Sequence, residues 1–159
     1  MQSREMAPSD YGLWFAMVGI GYLAGNLVAG RFSARVGAVR MIHWGLVPLA
    51  FGVVMLWALS GSTHPLALFL PMQMFAFSNG MSLPNLMSVI MSVRPSLAAT
   101  ASGLAGTVQV GVGIMLTVAV GFLLPYADVW LFVLMSLCVL IAFTGAWASR
   151  HQHTSAAHH

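Results

Sequence analysis

Apolar residues in this chain fall into five long blocks separated by short polar gaps. The blocks run over about 11–30, 41–60, 66–92, 98–124 and 129–148. The gaps are Gly30–Arg40 (GRFSARVGAVR), Gly61–Pro65 (GSTHP), a break centred on Arg94-Pro95, and Pro125–Asp128 (PYAD). Roughly 20 apolar residues are needed for a helix to cross about 30 Å of hydrocarbon, and every block reaches that length. Backbone polar groups in lipid must be satisfied within the segment itself, so such blocks are helices. The pattern predicts an all-α integral membrane protein with five transmembrane helices over 11–148. Residues 1–10 read as an outer loop or leader, and 149–159 as a polar tail rich in histidine.

Composition strengthens this reading. The chain is 59% hydrophobic and 6% charged, against about 25% charge in a typical soluble domain. So few charges cannot cover a water-soluble core, which makes the lipid bilayer the first partner. The net charge of +3 comes from arginines, since lysine is absent. No basic patch with interleaved aromatics occurs, so the charge reports orientation and not nucleic-acid binding. The opening MQSREMAPSD carries an acid and a proline and has no apolar core, unlike a signal peptide; Asp10 is placed to cap a helix starting at Tyr11. The single cysteine, Cys138, excludes an intrachain disulfide and reads as a small apolar filler.

The Gly30–Arg40 gap sets the topology. It holds Arg31, Arg35 and Arg40 and no acid. An arginine at the centre of a spanning helix costs roughly 2.5 to 3.5 kcal/mol, so these three belong at a membrane surface, and the positive-inside rule makes it the cytoplasmic one. Arg94 and Arg150 then fall on the same side, while Arg4, Glu5, Asp10 and Asp128 fall outside. The N-terminus is expected outside and the C-terminus inside. Trp14, Trp57 and Trp130 lie near outer helix ends and Trp44 and Trp147 near inner ends, as interfacial belts require.

The helices differ in polarity. The second and fifth are almost uniformly lipid-like. In the third, Ser78, Ser82, Asn85, Ser88 and Ser92 recur at helical spacing with Asn79 beside them. The fourth carries Ser102, Gly106, Gln109, Gly113 and Thr117 on one stripe. The first carries Gly12, Ala16, Gly19, Asn26 and Gly30 on one face and Gly21, Gly25 and Ala29 on another. Such stripes serve either close helix packing or the lining of a polar cavity. The glycine faces of the first and fourth helices suit packing. The third helix suits a cavity, because it presents amides and hydroxyls and because Pro84 removes a backbone bond beside them.

Three stretches carry a resemblance. Gly25–Arg40 (GNLVAGRFSARVGAVR) looks like the second-half copy of the cytoplasmic loop signature of major facilitator superfamily transporters. Leu83-Pro84-Asn85 is similar to the break in their helix ten, and Ala101–Gln109 (ASGLAGTVQ) to the start of their helix eleven. Residues 8–148 thus resemble helices eight to twelve of the C-terminal half, as in multidrug-efflux antiporters of the bicyclomycin- and chloramphenicol-resistance type. The resemblance implies an incomplete C-terminal bundle in a bacterial inner membrane, with a family role in proton-coupled efflux of drugs or small amphiphiles. It implies a substrate cavity at Ser78, Asn79, Ser82 and Asn85. It implies an interface between halves at Asn26, Ser102, Gly106, Gln109 and Gly113, and a cytoplasmic motif at Gly30, Arg31, Arg35, Gly37 and Arg40. Ala34 stands where the full motif has an acid. The missing first half and helix seven imply a fragment, a truncated product or one piece of a split transporter. The other reading is a packing or assembly subunit that needs a partner chain.

No acid or histidine lies deep in any block, and His43 is near the inner end of the second. A coupling group of the kind a proton antiporter needs is therefore expected in the missing half. Gly80-Met81-Ser82-Leu83 superficially matches the serine motif of rhomboid-type intramembrane proteases. That chemistry needs a histidine from another helix, and the fourth and fifth blocks have none. No catalytic residue, cofactor or metal is expected; His151, His153, His158 and His159 read as a flexible cytosolic tail.

Overall fold

The computed structural model describes the backbone of residues 8–62, 64–93, 95–123 and 129–156, and the side chains within 12–62, 64–93, 95–122 and 132–145. Five helices follow one another: α1 (Pro8–Val36), α2 (Ala38–Ala58), α3 (Leu66–Val93), α4 (Ala98–Leu123) and α5 (Val129–Ala156), with a short 3-10 turn at Pro95–Leu97 before α4. No strand occurs among the described residues. Four of the helices are long and apolar enough to cross a membrane, and the described apolar part of α5 is the shorter stretch Phe132–Gly145. Large apolar side chains stand open around the outside, among them Leu27, Met115 and Phe122, each more than 70% exposed. In water such a surface would drive association; against acyl chains it is the expected exterior.

The boundary between the first two helices departs from the sequence expectation. The Gly30–Arg40 stretch is not a loop. α1 continues to Val36, so Arg31 and Arg35 occupy its last turns, and Arg40 lies in the first turn of α2. Arginine is a good helix former, and the end of an apolar run does not end a hydrogen-bond ladder. At 1.5 Å per residue α1 is about 43 Å long, longer than about 30 Å of hydrocarbon, so both arginines fit within one spanning helix without a loop. The ladder stops at Gly37, whose φ of 93° suits glycine alone. The Gly37 N–H closes α1 on the Ser33 carbonyl at 2.9 Å, and the Gly37 carbonyl opens α2 by accepting from Met41 N–H at 3.1 Å. Both outer boundaries also shift. α1 begins at Pro8, a residue suited to a first helical position, so Asp10 falls in the first turn and not at the cap. α5 continues to Ala156, through most of the expected tail.

Helix α3 is the centre of the packing. It lies extensively against α1 on one side and α2 on the other, while α1 and α2 meet little. Glycines set the approach. Cβ atoms at Gly21 and Gly25 would run into the α3 backbone at Gln73 and Phe77, and one at Gly80 would strike the α1 backbone at Tyr22. On the other side Gly45 meets Ser82 and Gly52 meets the Phe75 ring. The small-xxx-small spacing lets three backbones close without a large-residue core. Every buried apolar side chain among the described residues (Ala29, Met41, Leu56, Ala67, Phe69, Pro71 and Met81) belongs to these three helices. Trp14 of α1 stacks on Phe69 of α3 with ring centroids 5.7 Å apart. By contrast α4 buries none of its described side chains and packs lightly on α3 and α5. α5 leans on α2, where Trp57 Nε1 donates to Ser136 Oγ at 3.0 Å and the Trp57 ring lies 5.6 Å from Phe132.

Candidate functional site

α3 and α5 each pack on α2 but not on one another among the described residues. The wedge between them is a groove of about 600 Å³, within the usual range for a small-molecule site. Its floor is Val39, Ile42, His43, Leu46 and Leu49 of α2. One wall is Phe75, Ser78, Asn79, Ser82, Leu86 and Val89 of α3, and the other is Ile141, Ala142 and Gly145 of α5. Most of this lining is aliphatic. The polar members are His43, Ser78, Asn79 and Ser82, and no acidic or arginine side chain among the described residues lines the groove.

The antiparallel pairing of α2 and α3 fixes the depth of each group. Gly45 stands opposite Ser78 and Ser82, and Gly52 opposite Met74 and Phe75. By the same register His43 is near the level of Ser82, with Asn79 about one turn deeper. Apolar side chains flank this polar belt at both ends, Val39 and Val89 on one side, Leu49 and Phe75 on the other.

Three of the four residues expected at a substrate cavity, Ser78, Asn79 and Ser82, therefore line one groove. Ser78 is 4% exposed and its hydroxyl donates to the Gly45 carbonyl at 2.6 Å, so it also ties α3 to α2. Asn79 is exposed. Asn85 lies elsewhere. It is buried between α3 and α1, donates through Nδ2 to the Met81 carbonyl at 2.8 Å, and accepts at Oδ1 from the Ser33 hydroxyl. The physical reason is angular: the polar stripe is wider than one helix contact, so one edge turns to α2 and the other to α1. Ser88 and Ser92 are exposed beyond both contacts. The carbonyl that Pro84 leaves without its helical donor is that of Gly80, and Gly80 is pressed against α1 and not the groove.

The expected interface residues divide in the same way. Asn26 of α1 is half-buried beside the α3 crossing, its Nδ2 donating to the Tyr22 carbonyl at 3.0 Å. On α4, Ser102 and Gly106 are half-buried, and Gln109 and Gly113 are exposed. A Cβ at Gly106 or Gly113 would meet no described atom within 4 Å. The hydroxyls of Ser102 and Thr117 turn back to their own helix, donating to the Ala99 and Gly113 carbonyls at 3.0 and 2.8 Å. Arg31, Arg35 and Arg40 are all exposed around the Gly37 corner, as is Gly30. The side chains of Arg4, Glu5, Asp10, Arg94, Asp128, Trp130, Trp147 and Arg150, and those of the four tail histidines, lie outside the described residues.

Two participants were not legible as site residues in the sequence. His43 enters the groove because the α2–α3 register brings it level with Ser82; its Nδ1 lies 2.7 Å from the Val39 carbonyl. Ser33 meets Asn85 because the arginine-rich stretch is helical. Its only signal was a hydroxyl within an apolar-arginine run. No known family, curated protein or solved structure matches the chain.

Proposed function

We propose that this chain forms part of a membrane transporter of the major facilitator type. In this reading it holds a small drug-like or amphiphilic substrate in the α2–α3–α5 groove. The observation that carries the reading is the placement of Asn79, Ser82, Ser78 and His43 together in an otherwise apolar groove. Amides and hydroxyls in such a setting hydrogen-bond varied ligands without demanding a charge. Further helices, in the same or another chain, cover the open stripe of α4. They also supply the titratable group for proton coupling, because no carboxylate lines the groove among the described residues. The Gly37 corner with its three arginines lies on the cytoplasmic side of an inner membrane, which puts the N-terminus outside and the C-terminus inside.

A second reading has its own support. The open face of α4 equally suits an assembly subunit that packs against a partner and transports nothing. Susceptibility of the source cells to a panel of amphiphilic drugs separates the two. Asn79→Leu, made at the native locus, raises susceptibility to at least one drug with the protein level unchanged if the groove carries substrate. If neither that variant nor deletion alters any response, the transport reading fails and the assembly reading stands. Orientation has its own test: a reporter fused at Ser62 is active only in an external format and one fused after Arg150 only in a cytoplasmic format. The reverse at either site overturns the topology.

A further inference from the structure

We infer that the Gly37 corner between α1 and α2 is a binding site for an anionic phospholipid. Its phosphate meets Arg31, Arg35 and Arg40, and its acyl chains lie along the helix faces that lead away from them. The inference depends neither on the transport reading nor on which side of the membrane the corner faces.

Charge comes first. Arg31 and Arg35 occupy the last turns of α1 and Arg40 the first turn of α2, and all three are exposed. At 1.5 Å per residue each lies within about 9 Å of Gly37 along its helix axis, so the three share one interfacial layer. The acidic side chains of the sequence are Glu5, Asp10 and Asp128. Asp10 is in the first turn of α1, about 32 Å along the helix from Arg31. Glu5 is only three residues ahead of α1, too short a tether to reach the corner. Asp128 directly precedes α5, whose Phe132 packs on Trp57, and Trp57 is about 26 Å along α2 from Arg40. These separations are several times the Debye length of about 8 Å at physiological salt, so none of the three acids neutralises the corner. No side chain caps α2, and its first turn has no acid, so the positive end of its dipole adds to the arginines.

The surface beside the arginines selects a lipid over a free anion. On α1, Arg35, Arg31, Leu27 and Leu23 follow one another at steps of four, and both leucines are more than 60% exposed. On α2, Arg40, Trp44, Val47 and Phe51 follow at steps of four, three and four, the last three each more than half exposed. Such spacing puts each set on one helix face. Each face therefore begins with guanidinium and continues as an apolar strip into a span long enough to cross a bilayer. A phospholipid has the same order, phosphate and then chains. Trp44 stands at the junction, where an indole ring sits at headgroup level. Guanidinium groups bind phosphate oxygens through charge-assisted, often bidentate hydrogen bonds. A zwitterionic headgroup would bring its own ammonium beside three arginines with no carboxylate to offset it. An anionic headgroup such as phosphatidylglycerol brings none.

The test places the whole chain in nanodiscs of equal phosphatidylglycerol and phosphatidylcholine, and native mass spectrometry counts the lipids retained on release. Phosphatidylglycerol is expected to be retained about fivefold or more over phosphatidylcholine. That preference should shrink as salt in the nanodisc sample is raised from about 0.05 to about 0.5 M. Arg31→Gln, Arg35→Gln and Arg40→Gln should each lower it about two- to fivefold, and the triple variant should abolish it with circular dichroism unchanged. A phosphatidylglycerol carrying a diazirine in its acyl chain should crosslink to residues 23–51 in preference to 104–115 of α4. Inorganic phosphate in large excess should leave the bound lipid in place. Displacement by phosphate would make the corner a free-anion site and overturn the inference. Equal retention of the two lipids, a preference indifferent to salt, an unchanged preference in the triple variant, or crosslinks spread evenly onto α4 also overturns it. If the triple variant misfolds, the lipid comparison, the salt series and the crosslink map in the unaltered chain still decide.

Discussion

Two stripes of small residues with the same helical period have different fates in this molecule. On α1, Gly21, Gly25 and Ala29 are buried against α3, close enough that two of them admit no Cβ. On α4, Gly106 and Gly113 occupy an equivalent pattern, yet a Cβ at either would meet no described atom within 4 Å. The α1 stripe stands opposite Gly80, itself without a side chain, so two small surfaces close on each other. α4 has no such counterpart among the described residues. A small-residue stripe is thus an invitation to pack, and only a complementary surface completes it.

The comparison breaks most readily at the α1–α3 crossing. Gly25→Leu puts a side chain where the Phe77 carbonyl and the Met81 amide already lie. A cost of roughly 2 to 3 kcal/mol is expected, typical of overpacking where backbone must move, measured as the midpoint shift in reversible detergent unfolding. Gly106→Leu in the same chain is expected to change stability by less than about 0.5 kcal/mol, as at open surface positions. Equal losses for the two would erase the contrast.

Hydrogen bonds that join α3 to its neighbours give intermediate effects. Asn85→Ala removes the contact with Ser33 and the bond to Met81, and about 1 kcal/mol is expected from interhelical bonds of this kind. A double-mutant cycle with Ser33→Ala should recover part of that loss as coupling; strict additivity would show that the two side chains do not interact. Ser78→Ala, by the same measurement, is expected to cost about 0.5 to 1 kcal/mol. The smallest of these hydrogen-bond effects is expected where α5 meets α2. Trp57→Phe deletes the indole donor to Ser136 and keeps a ring near Phe132, which should cost about 0.5 kcal/mol. It should also speed proteolysis near α5 while leaving α1–α3 protected. Uniform loss of protection over all helices would mean that α5 is no separate unit.

Much of the helical plan was legible along the chain, because hydrophobic block length responds directly to bilayer thickness. What escaped was three-dimensional. The polar gap at 30–40 concealed a continuous helix, since arginine interrupts an apolar run without interrupting a ladder, and only Gly37 marks the true corner. The α3 stripe grouped Ser78, Asn79 and Ser82, which line one groove, with Asn85, which packs against α1, because periodicity alone does not say where one neighbour ends and the next begins. His43 became a groove residue only through the register of α2 on α3. The apolar α5 wall, Ile141 and Ala142, carries no polar signature at all.

The contrast between the two stripes is tested most directly by paired cysteines at matched depth. Ala29→Cys and Gly106→Cys, each in a Cys138→Ala background, sit about two turns from helix ends joined through α3, and both are small enough to leave packing intact. Reaction with N-ethylmaleimide is followed in detergent-solubilised chain. Cysteine at 106 is expected to react about tenfold or more faster than cysteine at 29, whose exposure requires α1 to open from α3. Equal rates, or a faster reaction at 29, would contradict a closed α1 seam beside an open α4 stripe.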